Sequence, residues 1–320
     1  NRQHSLQGVL KIVIREFKIL IPDEKIELLN KKIDLTRWPD EINDERWTLG
    51  AKKSYLQEAV ETWRNSFDWR KHEAKLNEAG SFKFKTKSGA GHLHSCLSCV
   101  DILVSLYYDH ETYFNHQNDM MLFSKAHGSP SVYPILADLG YFDRKELDKY
   151  STPEGILKLH SDSTIPGCYF IGGSLGNGIG YAAGLAYARE KNVFVLLGDA
   201  ELYEGSVWET LFFIAHHKLN NLHIIVDRNG LGILGATEEL LKLEPIDEKF
   251  KSFGFDVKVV DGHNYDELRS AFVSKPKVPN IVIANTVKGK GVSYMENIWQ
   301  YHTIIPKDKD LIKQGLEDLS

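Results

Sequence analysis

Long hydrophobic runs are missing from this 320-residue chain, and so is any strong bias of charge: 39 Lys and Arg stand against 44 Asp and Glu, for a net charge of −5. No stretch reaches the ~20 apolar residues that a membrane-spanning helix needs. The most apolar early segment, Leu10–Pro22, is broken by Lys11, Arg15, Glu16 and Lys18, which excludes a signal peptide. The near balance of charge gives no reason to expect nucleic acid or an anionic membrane as a partner. Cysteine is scarce as well: three cannot build a disulfide framework, and a reducing cytoplasm fits. Cys96 and Cys99 do form a C-x-x-C, but no second pair lies nearby and Val100–Tyr108 reads as an apolar helix. They are expected to be small core residues, neither a zinc site nor a redox pair. Internal repeats and low-complexity tracts are absent.

What is present is organised around Phe194–Gly235. Val193–Leu197 is a short apolar, β-branched run of the kind that forms a buried parallel strand, and Leu222–Val226 is a second. Between them Ser206–Leu219 has helical spacing, with Trp208, Leu211, Phe212 and Ala215 able to line one face. A strand–helix–strand unit of this kind sends Asp199 and the segment Asp227–Leu231 out of the carboxyl ends of parallel strands, where α/β sheets bind ligands. An Asp carboxylate, an Asn amide oxygen and a main-chain carbonyl are hard oxygen donors suited to Mg²⁺ held with a diphosphate. Asp199 and Asn229 have the separation needed to run down a helix and back up a strand. Adjacent glycines let the backbone approach a phosphate, and the helix after Gly205 is expected to offer its positive end.

The run Gly198-Asp199-Ala200-Glu201, followed by Asn229, resembles the thiamine-diphosphate signature of transketolases, most of all the separately encoded N-terminal subunit of split transketolases. The resemblance runs from about Lys87 to Pro306. It implies that Asp199 and Asn229 supply side-chain ligands to Mg²⁺, that Leu231 supplies its carbonyl, and that Gly198, Ala200 and Glu201 belong to the cofactor site. One departure is plain: Ala200 stands where the family has Gly. A methyl costs little there if the dihedrals are ordinary and weakens diphosphate binding if φ is positive.

Four histidines fall in phrases that the family uses. By resemblance His127, in Ser124-Lys125-Ala126-His127, and His302 would sit against the diphosphate. His92, His160 and His302 would serve catalysis, with His92 and His160 lining the channel and exchanging protons with donor hydroxyls, work suited to imidazole near pH 7. His94 falls where the family has a small residue and is expected to narrow that channel; His263 is expected to order a turn. In Gly172-Gly173-Ser174-Leu175-Gly176, the resemblance gives the Gly173 carbonyl to the aminopyrimidine and Leu175 to the support of the ring. The same stretch fits the G-x-S-x-G elbow of hydrolases, so a hydrolase built on Ser174 is an alternative. Glu204 aligns with a family glutamate near the cofactor at the subunit contact, and an ordinary first-turn acid of a helix would look the same.

Residues 1–15 read as a tail. Residues 16–84, with Thr36-Arg37-Trp38-Pro39 and Phe67-Asp68-Trp69-Arg70, resemble the N-terminal region of microsomal-type epoxide hydrolases, a lid-and-wrap element that carries no nucleophile. A short strand before Pro22, a helix capped by Asp23 with Ile26, Leu29 and Ile33 on one face, and a second helix near Lys53–Asn65 are expected there. The expected fold is therefore an α/β doubly wound parallel sheet, the thiamine-diphosphate-binding fold, over residues 85–320, with a small, mostly helical appendage before it. The resemblance implies a transferase of ketol or acyl units using thiamine diphosphate and Mg²⁺. In the family the activating glutamate lies on a pyrimidine-binding domain, which this chain is expected to borrow from a separate subunit, two such pairs forming a heterotetramer. The other reading is a non-catalytic subunit that binds cofactor or docks a further protein.

Overall fold

The computed structural model describes residues 13–16, 20–38, 52–71, 73, 82–85, 91–189, 191–273, 275–306 and 308–319. They fall into two units, Asn1–Thr86 and Lys87–Ser320.

In the first unit, strands β1 (Val13–Glu16) and β2 (Phe82–Lys85) pair antiparallel, Val13 opposite Lys85 and Glu16 opposite Phe82. Helices α1 (Asp23–Asp34) and α2 (Lys53–Ser66) have the expected extents. Asp23 is not the cap of α1, however. Pro22 takes that position, since a proline loses nothing where the backbone N–H is unpaired anyway, and the Asp23 carboxylate pairs with Arg70. Arg70 also holds Glu73, which accepts from the Ile21 N–H at 2.7 Å. No residue of either helix is fully buried. Ile26, Leu29 and Ile33 of α1 face Trp63 and Phe67 across an apolar groove of about 610 Å³. Of the strand expected just before Pro22, residues 17–19 lie outside the described residues and Leu20 and Ile21 are not in a strand; most of the tail and the loop residues 88–90 also lie outside the described residues.

The second unit is built on a five-stranded, wholly parallel sheet of order β3-β4-β5-β7-β6: β3 (Met120–Phe123), β4 (Val193–Gly198), β5 (Leu222–Arg228), β6 (Asp256–Asp261) and β7 (Asn280–Asn285). Side chains alternate across it. Phe194, Leu196, Ile225 and Val282 pack with α3 (Leu93–Tyr108), α4 (Tyr133–Asp138) and residues later in the chain. Val193, Val195, Leu197, Ile224 and Val226 pack on the other face with α5 (Asn177–Ala188) and α6 (Gly205–His217). The sheet is covered on both faces, which is why its central strands are mostly apolar, His223 of β5 being a buried exception. This is the doubly wound α/β arrangement. Beyond β5 come α7 (Thr237–Leu240), α8 (Ile246–Ser252), α9 (Tyr265–Phe272) and α10 (Lys309–Asp318).

Local differences from expectation have physical causes. The core stripe of α6 is Val207, Leu211 and Ile214, while Phe212 is 67% exposed, because it lies one position too far round the helix. α3 begins at Leu93, ahead of the apolar run, and its first turns bury the small residues Ser95 and Ser98. Cys99 and Cys168 are buried free thiols and Cys96 is half-buried; burial pushes the Cys96 and Cys168 thiols up to about 12, so neither is a reactive thiolate. Among the described residues no helix is long and apolar enough to cross a membrane.

Candidate active site at the carboxyl ends of the strands

The segments leaving β3, β4, β5 and β7 converge on a cleft of about 230 Å³. His92, His127, His160, Gly173, Leu175, Gly198, Asp199, Ala200, Glu201, Asn229, Leu231 and His302 all line it, together with Lys125 and Lys288. Residues spread over more than two hundred positions of sequence thus meet at one end of the sheet. Glu204 is not among them; it is exposed, beside Gly176. The helix expected to aim its positive end here starts at Gly205, as expected, and the 3₁₀ segment Asp199–Tyr203 stands between it and β4. Ala200 lies in that segment and is not among the residues of positive φ, so the methyl group brings no backbone strain. Gly173 does have a positive φ, 136°, with open space where a side chain would stand.

Asp199 is 1% exposed. Its Oδ1 accepts from the Ala200 N–H at 2.8 Å, and its Oδ2 accepts from the Gly230 N–H at 2.6 Å and from Arg228 Nη1 at 3.0 Å. Burial, with the nearby Asp227 charge, pushes its carboxyl up against the pull of Arg228. Asn229 Oδ1 accepts from the Leu231 N–H at 3.1 Å, and the Leu231 carbonyl accepts from Lys288 Nζ at 2.8 Å. Each of the three expected ligand oxygens keeps a lone pair, so an anionic hard-oxygen set faces the cleft and fits a Mg²⁺ ion. Among the described residues no three His, Cys, Asp or Glu converge as a metal site, in keeping with a set that is one carboxylate, one amide and one carbonyl.

Lys288 fits the anion. Lys288 is 2% exposed, yet the hydrogen-bond partners of its ammonium, the Leu231 carbonyl and His302 Nδ1 at 3.0 Å, are both neutral. Burial and the neighbouring Lys125 charge pull it down to about 8. A buried cation without a carboxylate partner is costly unless an anion completes it. A diphosphate would.

The histidines form one cluster. The His92 ring centroid lies 5.4 Å from that of His127, 5.9 Å from that of His160 and 5.4 Å from that of His302. His92 Nδ1 bonds the His302 carbonyl at 3.0 Å. Burial lowers all four; the neighbouring lysines add to the effect on His92, His127 and His302, taking His302 to about 3. They are neutral imidazoles at pH 7, able to accept a proton or relay one. His94 does not narrow the cleft. Its ring is buried, bonds the Met295 carbonyl through Nε2 at 2.9 Å, and fills the space where a side chain on Gly289 would stand, 2.5 Å from Cδ2. His263 does more than order its own turn: Nδ1 donates to Asp101 Oδ2 at 2.6 Å and Nε2 accepts the Val287 N–H at 2.8 Å, so it holds the strand exit that carries Lys288. Ser174 is exposed, and among the described residues no hydrogen bond joins it to a histidine or a carboxylate, so the hydrolase elbow lacks its base.

Four residues escaped the sequence reading: Lys125, Asp227, Arg228 and Lys288. Lys125 and Asp227 pair deep in the core, and Asp227 also accepts from Ser98 Oγ at 2.6 Å and from Thr286 Oγ1. Burial alone would push the Asp227 carboxyl up; Lys125 and the two hydroxyls hold it below the usual range. The signal that could have found them is a charge set at the end of an all-apolar strand, where desolvation demands a partner. Glu201 lines the cleft, but its carboxylate is consumed by Ser124 Oγ at 2.6 Å and by the N–H groups of Gly176 and Gly198, each at 2.9 Å.

Known proteins share the sequence and fold that carry this cleft. Residues 81–315 match the family described as transketolase, thiamine diphosphate binding domain, and residues 14–101 match epoxide hydrolase N terminus. The chain is 37% identical over 244 residues to an apulose-4-phosphate transketolase subunit of Actinobacillus succinogenes, covering 72% of this chain and 87% of that protein. It is 33% identical to a 6-deoxy-6-sulfo-D-fructose transketolase subunit of a Clostridium species, covering 73% and 90%. Among solved structures, the transketolase of Campylobacter jejuni superposes with a TM-score of 0.65 at 28% identity; the match covers 72% of this chain and 39% of that one.

Proposed function

Because the chain belongs to the transketolase family through its thiamine-diphosphate-binding domain, we propose that it is the diphosphate-binding half of a two-component transketolase-like enzyme. The reaction is transfer of a ketol or acyl unit from a ketose or 2-oxo acid donor to an aldehyde or related acceptor. Thiamine diphosphate, once bound, supplies the nucleophile and electron sink for breaking and forming the carbon–carbon bond. The chain's own residues do the rest. Asp199, Asn229 and the Leu231 carbonyl hold Mg²⁺; Lys288 and His127 face the diphosphate; Gly173 and Leu175 receive the rings. His92, His160 and His302, neutral at pH 7, move protons at the donor and acceptor hydroxyls.

The observation that carries this reading is the buried Lys288 ammonium with only neutral partners, facing a cleft that also holds the hard-oxygen set. The relatives named as subunits support a partner chain bearing the pyrimidine-binding domain. So does an exposed aromatic surface made by Tyr181 and Tyr187 on α5 and Phe212 and Phe213 on α6, where Tyr187 packs against Phe213. Glu204 stands by that surface, in keeping with a role at the subunit contact, and two such pairs make the heterotetramer. Residues 16–84 act as a packing or interaction appendage, and the free cysteines suit the cytoplasm. The test is gentle purification from native cells followed by native mass spectrometry. A second chain arriving with thiamine diphosphate and magnesium supports the reading. A chain that emerges alone and takes up no cofactor with added Mg²⁺ overturns it.

A further inference from the structure

Arg228 stands at the end of β5 with its guanidinium shared among three carboxylates. Nη1 donates to Asp199 Oδ2 at 3.0 Å and to Thr237 Oγ1 at 2.7 Å. Nη2 donates to Glu238 Oε1 at 2.6 Å and to Glu244 Oε1 at 3.1 Å. The side chain is only 9% exposed, whereas those of Glu238 and Glu244 are 38% and 50% exposed. Glu238 is itself fixed, accepting the Leu243 N–H at 3.2 Å. The carboxylate expected to ligate the cation is therefore already countered by a protein cation, which two acids draw away from it.

We propose that Arg228 is a positioning residue that competes with the divalent cation for Asp199 and so sets cation affinity, with Glu238 and Glu244 setting how strongly it competes. This rests on Asp199, Asn229 and Leu231 forming the cation cradle. With no cation, Arg228 balances the buried Asp199 charge and keeps the carboxylate aimed at the cleft. Both lone pairs of Oδ2 are taken, by Gly230 and Arg228, which leaves Oδ1 as the oxygen turned to the metal. A divalent ion held by Asp199 would share that carboxylate with the guanidinium, in a site where water screens little. The cost is met by moving guanidinium charge toward Glu238 and Glu244, which already bond it.

The test is Mn²⁺ binding to the full chain, followed by electron paramagnetic resonance, with thiamine diphosphate at one fixed concentration so that its own metal binding is common to all samples. Arg228→Gln keeps hydrogen-bond donors but loses the competing charge, and is expected to tighten Mn²⁺ binding about tenfold or more. The double variant Glu238→Gln/Glu244→Gln leaves Arg228 wholly on Asp199 and is expected to loosen it about tenfold. Arg228→Lys is expected to restore wild-type affinity in part. Shifts in opposite directions separate competition from mere support, since a supporting residue loosens binding in both cases. If Arg228→Gln binds Mn²⁺ no more tightly than wild type, the inference is overturned; should that variant not fold, the surface double variant decides alone, and unchanged or tighter binding there overturns it. A wild-type chain that binds no Mn²⁺, or binds it as well with Asp199→Asn, overturns the cradle itself and the proposed function with it.

Discussion

Asp227→Asn removes one half of an ion pair that is almost wholly out of water: the Lys125 and Asp227 side chains are 1% and 0% exposed. The substitution preserves shape, and the new amide oxygen still accepts from one of Ser98 and Thr286, which bond different oxygens of the carboxylate. What it leaves is a buried ammonium with no counter-charge, held only by the Ser95 carbonyl at 3.2 Å and Ser98 Oγ at 3.3 Å. Breaking such a pair costs about 3–5 kcal/mol. For a unit the size of Lys87–Ser320, that lowers the melting temperature by roughly 6–20 °C. Lys125→Met alone is expected to cost a similar amount, now for an unpaired carboxylate. The double variant Lys125→Met/Asp227→Asn carries neither orphan charge, and is expected to lose less than the sum of the singles by about 2 kcal/mol or more. The assay is urea unfolding followed by fluorescence and circular dichroism on all four proteins. Additive losses, or a loss below about 1 kcal/mol for Asp227→Asn, would refute the view that this pair is the electrostatic floor of the cleft.

Acid should weaken the fold through its buried neutral histidines. Burial takes His94 and His223 to about 4, below the ~6.5 of an unfolded chain, so the unfolded state binds more protons between those values. Their stabilisation is complete above pH 6.5 and lost as pH falls toward 4, by up to about 2.7 kcal/mol per pH unit for the two together; a flat urea midpoint from pH 7 to 4.5 contradicts this. Ala200→Gly should leave cofactor affinity within about twofold and cost roughly 0.5–1 kcal/mol of stability, as read by equilibrium dialysis and melting; a large gain in affinity would mean that the methyl obstructs the diphosphate. Ser174→Ala should leave turnover intact while Asp199→Asn abolishes cofactor retention; the reverse pattern in paired activity and binding assays points to the hydrolase. Deleting residues 1–84 should reduce solubility or subunit pairing, measured by ultracentrifugation, and wild-type behaviour there removes the appendage from any such role.

The parallel sheet was legible because Val193–Leu197 and Leu222–Val226 are apolar and β-branched, a pattern set by burial on both faces. The cleft was legible where chemistry follows a strand end directly, as with Asp199 and Asn229. Partners chosen across the fold were not. Arg228 is an unremarked charge in the text and becomes informative only once Asp199, Glu238 and Glu244 surround it. His94 was misread for the same reason. One residue separates it from His92, but the turn of α3 sends its ring under Gly289, nearly two hundred positions away. Phe212 shows the limit of helical spacing: an apolar stripe can be read a residue too wide when the flanking surface is itself apolar.

The three donors on Glu201 come from three segments: the exit of β3, the start of α5 and the last residue of β4. The amide protons of Gly176 and Gly198 therefore share one acceptor. Neither can be handed to solvent by a ripple confined to its own loop, because letting go of either leaves a buried carboxylate under-solvated and loosens the other. In hydrogen–deuterium exchange the two should lose protection in a single event, slow and common to both, rather than at the separate rates of two glycine-rich turns. The floor beneath the cofactor would then open all at once or not at all, and the frequency of that opening would set how fast the empty subunit interconverts between a receptive and a collapsed cleft.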